Sequence, residues 1–312
     1  MARIRTGTCS WTDPTLLSSG RFYPASANSP EARLRYYSDQ FDLVEVDSSY
    51  YAMPAERTSR LWVERVPDDF AFDIKAFRLF TQHPASADSL PRDVRMELPP
   101  QLRDKGRLYY RDLPHDLTGE LWDRFASALL PLDSAGKLGL VLFQFPPWFT
   151  PGTPQLDYIL SAREKLPQYR LAVEFRNNLW LSEKNRDDVL GFLRQQGLPL
   201  VCVDEPQGFR SSVPPLAETT ADIGVVRFHG RNSDTWEKKG ITAVERFNYL
   251  YSEEELKPWA EKIRQMAAAT SEMHVLFNNC HQDKAVVNAG QMSLMLRPPG
   301  GAFRGEGKRA TE

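Results

Sequence analysis

Val44-Glu45-Val46-Asp47, Phe72-Asp73-Ile74-Lys75, Val173-Glu174-Phe175-Arg176, Val201-Cys202-Val203-Asp204 and Val226-Arg227-Phe228-His229 are five short runs of one kind. Each alternates strictly, apolar on one parity and mostly ionisable on the other, and each finishes on a titratable side chain. Period-two alternation marks a strand, in which residues two apart share a face. Strands that end on ionisable groups of one parity predict a sheet with a site at its C-terminal edge.

Working outward from these runs, eight strands are expected, near residues 4–9, 43–46, 71–75, 139–143, 171–175, 200–203, 224–228 and 273–277. Helical periodicity falls between them, over 31–40, 58–66, 120–130, 155–165, 185–196 and 252–269. The last of these opens on Ser252 with Glu255 three residues on, the signature of a capping box. Strand and helix in alternation imply parallel strands joined by crossovers, and eight such units predict an α/β fold of the TIM-type (β/α)8 barrel class. The competing fold, an open doubly wound sheet, calls for a glycine-rich phosphate loop after its first strand. Gly7-Thr8-Cys9-Ser10 supplies one glycine where that fingerprint needs three.

A single barrel domain over residues 1–296 is therefore expected, with a long insertion at 77–137 after the third strand. A connection of that length reads as a lid, a binding loop or a mobile insertion. A second proline- and serine-rich connection, 206–222, is expected over the same end of the sheet. The tail, 297–312, holds Pro298-Pro299-Gly300-Gly301 followed by charge and is expected to be disordered.

Composition narrows the function. The 39 basic and 41 acidic residues leave a net charge of −2, which provides no global field for a polyanion. Three scattered cysteines, Cys9, Cys202 and Cys280, signal neither a disulfide framework nor a thiolate zinc site. With no secretion signal and no apolar run able to span a bilayer, the expectation is a cytoplasmic protein with no membrane partner. Oligomeric state is not legible.

Parity makes the barrel reading specific. Val44, Val46, Phe72, Ile74, Val141, Phe143, Val173, Phe175, Val201, Val203, Val226 and Phe228 are expected to face the helices. Glu45, Asp47, Asp73, Lys75, Gln144, Glu174, Arg176, Cys202, Asp204, Arg227, His229 and Asn278 are expected to face inward. Barrel active sites are built at strand C-termini. Glu45, Glu174, Asp204 and His229 are thus the candidate acid–base residues, His229 because imidazole titrates near neutrality. Lys75, Arg176 and Arg227 are candidate donors to a phosphate or carboxylate group, with Gln144 and Asn278 beside them. Among the aromatic residues near strand ends, Trp11 and Tyr50 are the candidate ligand contacts.

Two other readings compete. The charged set nearly balances, so it also fits a structural ion-pair network filling a polar barrel. Glu45, Glu174, Asp204, His229 and His281 could ligate a divalent ion, although no short ligand spacing occurs and the neighbouring cations compete for the carboxylates. No cofactor is otherwise implied.

The segments 7–11, 22–24, 41–51, 70–75, 138–147, 172–180, Asp204, 226–231, 249–256 and 277–289 together resemble the YecE-like family, known as domain of unknown function 72. The resemblance implies a TIM-type barrel and supplies no reaction. It marks Glu45, Lys75, Gln144, Glu174, Arg176, Asp204, Arg227, His229, Gly230, Asn278 and Asn279 as recurrent positions. The chain departs from the pattern at Asp47, where asparagine is usual, and at Asn177, where histidine is common. The leading functional expectation is an enzyme acting on a small anionic, phosphate- or carboxylate-bearing, or sugar-like substrate by acid–base chemistry at the C-terminal mouth of the barrel. The alternatives are a metal-dependent nucleic-acid hydrolase, which the charge balance disfavours, and a non-catalytic protein that binds a ligand or partner.

Overall fold

The apolar alternation condenses into eight strands in a computed structural model that describes residues 2–297. They are β1 (Arg3–Thr8), β2 (Leu43–Val46), β3 (Ala71–Lys75), β4 (Leu138–Gln144), β5 (Leu171–Glu174), β6 (Val201–Asp204), β7 (Ile223–Phe228) and β8 (Glu272–Phe277). Every pairing is parallel and the order is β5-β4-β3-β2-β1-β8-β7-β6, a nearly closed (β/α)8 barrel of TIM type. Closure between β5 and β6 rests on one isolated bridge, Val173 to Leu200, with the Val173 amide donating to the Pro199 carbonyl at 2.8 Å. The expected disordered tail, apart from Arg297, lies outside the described residues.

Eleven helices accompany the strands among the described residues: α1 (Pro14–Ser19), α2 (Pro30–Gln40), α3 (Glu56–Glu64), α4 (Arg92–Glu97), α5 (Pro100–Arg103), α6 (His115–Ser134), α7 (Thr153–Lys165), α8 (Arg186–Gln196), α9 (Ala243–Arg246), α10 (Glu253–Ala267) and α11 (Lys284–Leu296). The capping box at the start of α10 is present: the Ser252 amide donates to Glu255 Oε2 at 2.9 Å and the Glu255 amide to Ser252 Oγ at 3.4 Å. The 77–137 connection contains α4, α5 and α6 and is tied to the barrel where Tyr158 of α7 donates to the Phe80 carbonyl at 2.8 Å and Trp122 of α6 stacks on Phe143 of β4 at 6.2 Å. Phe80 stacks on Trp122 of α6 at 3.7 Å, and Ala85 pairs with Leu108.

The outer faces of the strands carry the main core. Val44, Val46, Phe72, Ile74, Val141, Phe143, Val173, Phe175, Val226 and Phe228 are all buried in one cluster with the helices. Inside the barrel, Cys9, Leu43, Ala71 and Leu276 form a second, small apolar cluster. Polar layers lie on either side of it.

Strand β6 reverses the expected phase. Its register sets Val203 beside Arg227 and Asp204 beside Phe228, so Val201 and Val203 face inward while Cys202 and Asp204 face the helices. A parallel strand is buried on both faces, so Val-Cys-Val-Asp fits either phase. The charge at Asp204 is satisfied outside the barrel, which is what allows the reversal.

Close approach of β1 and β2 depends on Gly7. The Tyr37 hydroxyl of α2 accepts from the Thr8 amide at 2.9 Å and donates to the Leu43 carbonyl at 3.1 Å, bridging the two strands. A Cβ on Gly7 would sit 1.9 Å from that same carbonyl oxygen. Gly7→Ala should therefore destabilise the protein by about 3 kcal/mol, the upper end of ordinary overpacking costs, because the obstacle is backbone. Urea denaturation measures it, and an unchanged midpoint would show that β2 can give way.

Candidate functional site

The C-terminal ends of β2, β5 and β7 converge on Arg227, which is fully buried. Its Nε and Nη2 donate to Glu45 Oε2 and Oε1 at 2.8 and 2.7 Å, a side-on fork. Its Nη1 donates to Glu174 Oε2, and Nη2 lies 3.5 Å from Cys9 Sγ. Burial alone would lower the guanidinium, but Glu174 and Glu45 outweigh it and Arg227 stays charged.

Glu174 is the hub. Its Oε1 accepts from Gln144 Nε2 at 2.5 Å, lies 3.1 Å from His229 Nε2 and accepts from Arg176 Nη1 at 3.4 Å. Burial would raise this carboxyl, yet Arg227 and His229 hold it well below the usual range, so it is a permanent anion. His229 is also sequestered, at 1% exposure. Burial pushes its imidazole down to about 3, with Glu174 opposing only in part. The neutral ring accepts from Asn278 Nδ2 at Nδ1, 2.9 Å away, and presents its Nε2 proton to Glu174. The rings of Trp236 and Phe247, from the β7–α10 connection, lie over it at 6.2 and 5.8 Å.

Two cations stand at the rim. Lys75 Nζ donates to Asp47 Oδ1 at 2.6 Å and lies 4.8 Å from the centre of the Tyr50 ring, which Arg78 flanks at 5.1 Å. Burial opposes its charge, but Asp47 prevails and the ammonium is raised. Arg176 lies over the Trp236 ring at 4.6 Å, and its Nη1 is 3.3 Å from Glu205 Oε2.

The structure thus brings Glu45, Lys75, Gln144, Glu174, Arg176, Arg227, His229, Asn278 and Tyr50 to one end of the barrel. It does not bring three of the expected residues there. Asp204 points outward: Arg231 binds it with Nε and Nη2 at 2.8 and 2.7 Å, and Tyr251 and the Trp259 indole donate to it at 2.7 and 2.6 Å. Trp11, 8% exposed, packs edge-on against Trp62 of α3 at 5.7 Å and belongs to the outer core. Asn279 donates to the Tyr249 carbonyl and to Asn288 Oδ1, both at 2.9 Å, and so fastens α11 to the end of β8. Asn177 is likewise structural, accepting from the Leu179 amide at 3.0 Å as the cap of a short turn.

Glu205 escaped the sequence reading. Because it follows the outward Asp204, it turns inward, and the tandem of acids at a strand end was the available signal. Asp73 occupies the opposite, N-terminal half of the interior, where His274 Nδ1 contacts its Oδ2 at 2.8 Å. As for metals, among the described residues no three His, Cys, Asp or Glu side chains converge as a ligand set.

Residues 5–310 match the family described as "Protein of unknown function DUF72". The chain belongs to the DUF72 family. UPF0759 protein YunF of Bacillus subtilis (strain 168) is 32% identical to it over 279 residues, covering 88% of this chain and 89% of that protein. The crystal structure of a DUF72 family protein from Thermotoga maritima MSB8 superimposes with a TM-score of 0.73 at 31% identity, over 94% of this chain and 99% of the other. A DUF72 family protein from Enterococcus faecalis V583 gives 0.73 at 26% identity, over 94% and 95%. The barrel is therefore the DUF72 fold, and the polar interior is this DUF72 chain's most concentrated chemistry. Among its described residues no helix is long and apolar enough to cross a membrane.

Proposed function

We propose that the C-terminal mouth of the barrel binds a small substrate bearing a phosphate or carboxylate group and carries out acid–base chemistry on it. The observation that carries this reading is the pair of rim cations, Lys75 and Arg176, mounted on a fully buried ionic scaffold. A buried ion-pair network contributes little net stability compared with apolar packing of the same volume. Here the scaffold fixes the direction of donors instead: among the described residues Arg176 makes its hydrogen bonds and ion pairs through Nη1 alone, leaving Nε and Nη2 for a ligand. Tyr50, beside Lys75, suits the apolar face of a sugar-like substrate.

In this reading Glu45, Glu174, Arg227 and His229 are positioning residues. All are sequestered from solvent, and each is occupied by protein partners. Ligand entry requires the segment bearing Trp236 and Phe247 to move aside. A cytoplasmic setting accompanies the proposal and is supported by three cysteines that are all free.

A screen of small phosphorylated and carboxylated compounds by calorimetry, followed by turnover assays on those that bind, tests it. Arg176→Gln and Lys75→Gln should each weaken binding about tenfold or more, since a charge-assisted hydrogen bond contributes roughly 1.5–3 kcal/mol. Binding unaffected by both substitutions would remove the mouth from consideration. Binding without turnover of any ligand would favour a sensor or docking protein over an enzyme.

A further inference from the structure

With Glu45 and Glu174 locked onto Arg227, and with His229 neutral and enclosed, none of the mouth's expected acid–base residues is placed to exchange a proton with a ligand. Glu205 is placed differently. It is 3% exposed and its Oε1 accepts from the Val213 amide at 2.7 Å. Among the described residues its buried Oε2 has no hydrogen-bond partner, lying 3.3 Å from Arg176 Nη1 in a geometry that makes no hydrogen bond. A second buried orphan belongs to the same cluster: the indole N–H of Trp236, whose ring carries Arg176, has no acceptor among the described residues. Buried polar atoms are nearly always satisfied, so orphans gathered around one arginine point to a missing ligand.

We propose that Glu205 is the proton-carrying residue of the mouth and that, with Arg176, it forms a subsite for one oxyanion group of the substrate. Arg176 donates to that group from Nε and Nη2, and the carboxyl of Glu205 donates to it from Oε2. This deepens, and rests on, the small-anion reading given above.

Charge at the mouth supports the assignment. Arg176 is shared between two buried carboxyls, its Nη1 lying 3.4 Å from Glu174 Oε1 and 3.3 Å from Glu205 Oε2, while Lys75 and Arg78 flank Tyr50 on the other side of the mouth. Burial raises Glu205 to about 8, and Glu174 and Asp204 add to it while Arg176 and the Val213 amide oppose. Glu237, on the β7 side, faces the same connection through its bond from Ser211 Oγ at 2.7 Å. An arriving anion raises the carboxyl further, so binding and protonation reinforce each other. A protonated carboxyl beside an arginine can also give its proton to a leaving or carbonyl oxygen.

The test is the binding of sulfate and of malonate, at constant ionic strength, by calorimetry between pH 6.5 and 9.5. Sulfate is fully ionised across that interval and malonate predominantly so, and the two distinguish a tetrahedral oxyanion site from a carboxylate site. Wild-type affinity should fall roughly thirtyfold between pH 6.5 and pH 9.5, the ends of an interval centred on the carboxyl's midpoint of about 8. Glu205→Gln, which keeps the acceptor for Val213 and offers N–H in place of O–H, should bind at pH 9.5 about as tightly as at pH 6.5. Thermal midpoints confirm that the variant is folded. It should moreover be more stable than wild type at high pH, because it has no buried carboxyl to ionise. Binding in Glu205→Gln that falls with pH as in wild type overturns the role of Glu205 and leaves the anion reading standing. Failure of wild type to bind either probe at any pH overturns both.

Discussion

Arg227→Met should lower the unfolding free energy by about 3–5 kcal/mol at pH 7, the usual consequence of removing one partner from a buried ionic group. Among the described residues Arg227 is the sole cation hydrogen-bonded to Glu45 and the strongest of those on Glu174, and both carboxyls are fully buried. Methionine fills much of the volume, so the loss isolates charge rather than cavity. The sign with pH follows. Glu174 is held below its ordinary value in the native protein, so its contribution to stability is present above that value and lost as pH falls. In Arg227→Met that contribution is gone, and the deficit relative to wild type should be largest at neutral and alkaline pH and shrink below about pH 5, where both carboxyls can protonate. Urea denaturation at several pH values measures this. Adding Glu45→Gln and Glu174→Gln should return most of the stability, because the orphaned charges go with the arginine. A variant as stable as wild type at pH 7 would mean that water reaches the carboxylates, and the scaffold described above would not be buried in solution.

The second large effect belongs to the other end of the barrel. His274 Nδ1 contacts Asp73 Oδ2 at 2.8 Å and Oδ1 at 3.0 Å, and its Nε2 lies 3.4 Å from Glu272 Oε1. Burial by itself would lower the imidazole, but Asp73 and Glu272 raise it to about 9. A histidine raised in the folded state contributes stability fully below its unfolded value of about 6.5 and loses it as pH rises through the folded value. Wild-type thermal midpoints should accordingly decline between pH 6.5 and about 9. Burial opposes ionisation of Glu272 as well, yet His274 and Arg5 hold it at about 2, so its contribution is present above the ordinary carboxyl range and is lost as pH falls toward 2. Asp73→Asn should remove most of the alkaline decline and cost about 3–5 kcal/mol at pH 7. A wild-type midpoint that stays flat from pH 6.5 to 9, with the His274 ring titrating near 6.5 by NMR, would show the pair to be unpaired in solution.

These two effects also show what could be read from residues alone. Glu45, Asp73, Glu174, Arg227 and His229 all lie inside the barrel, as their parity required, because each sits on or directly after a strand whose neighbouring residues of opposite parity are large and apolar. Depth was not legible in the same way. Asp73 and Lys75 share a face two residues apart, yet one belongs to the N-terminal pair with His274 and the other to the mouth. Parity itself failed at β6, where small apolar residues on one side left the phase to be decided by a charge that the outer layer satisfies through Tyr251, Trp259 and Arg231. Glu205 was hidden by the same inversion. Helix α11 carried no start signal: Asp283 makes no side-chain cap bond, and its apolar residues are not confined to a stripe. Trp11 and Asn279 are close in sequence to strand ends, but their contacts are with elements that alternation does not locate, Trp62 of α3 and Asn288 of α11.

Seven of the eight joins around the barrel are strand ladders, one of them with a register shift between Phe72 and Ile74, and the eighth, between β5 and β6, is a single bridge. Arg176 follows one of those strands and Glu205 the other, so their contact spans the slit. The barrel behaves as a ring cut at one point, like a spring collar. Its girth can change along that cut without breaking a ladder, and the two jaws of the collar are the arginine and the carboxyl proposed to grip the anion.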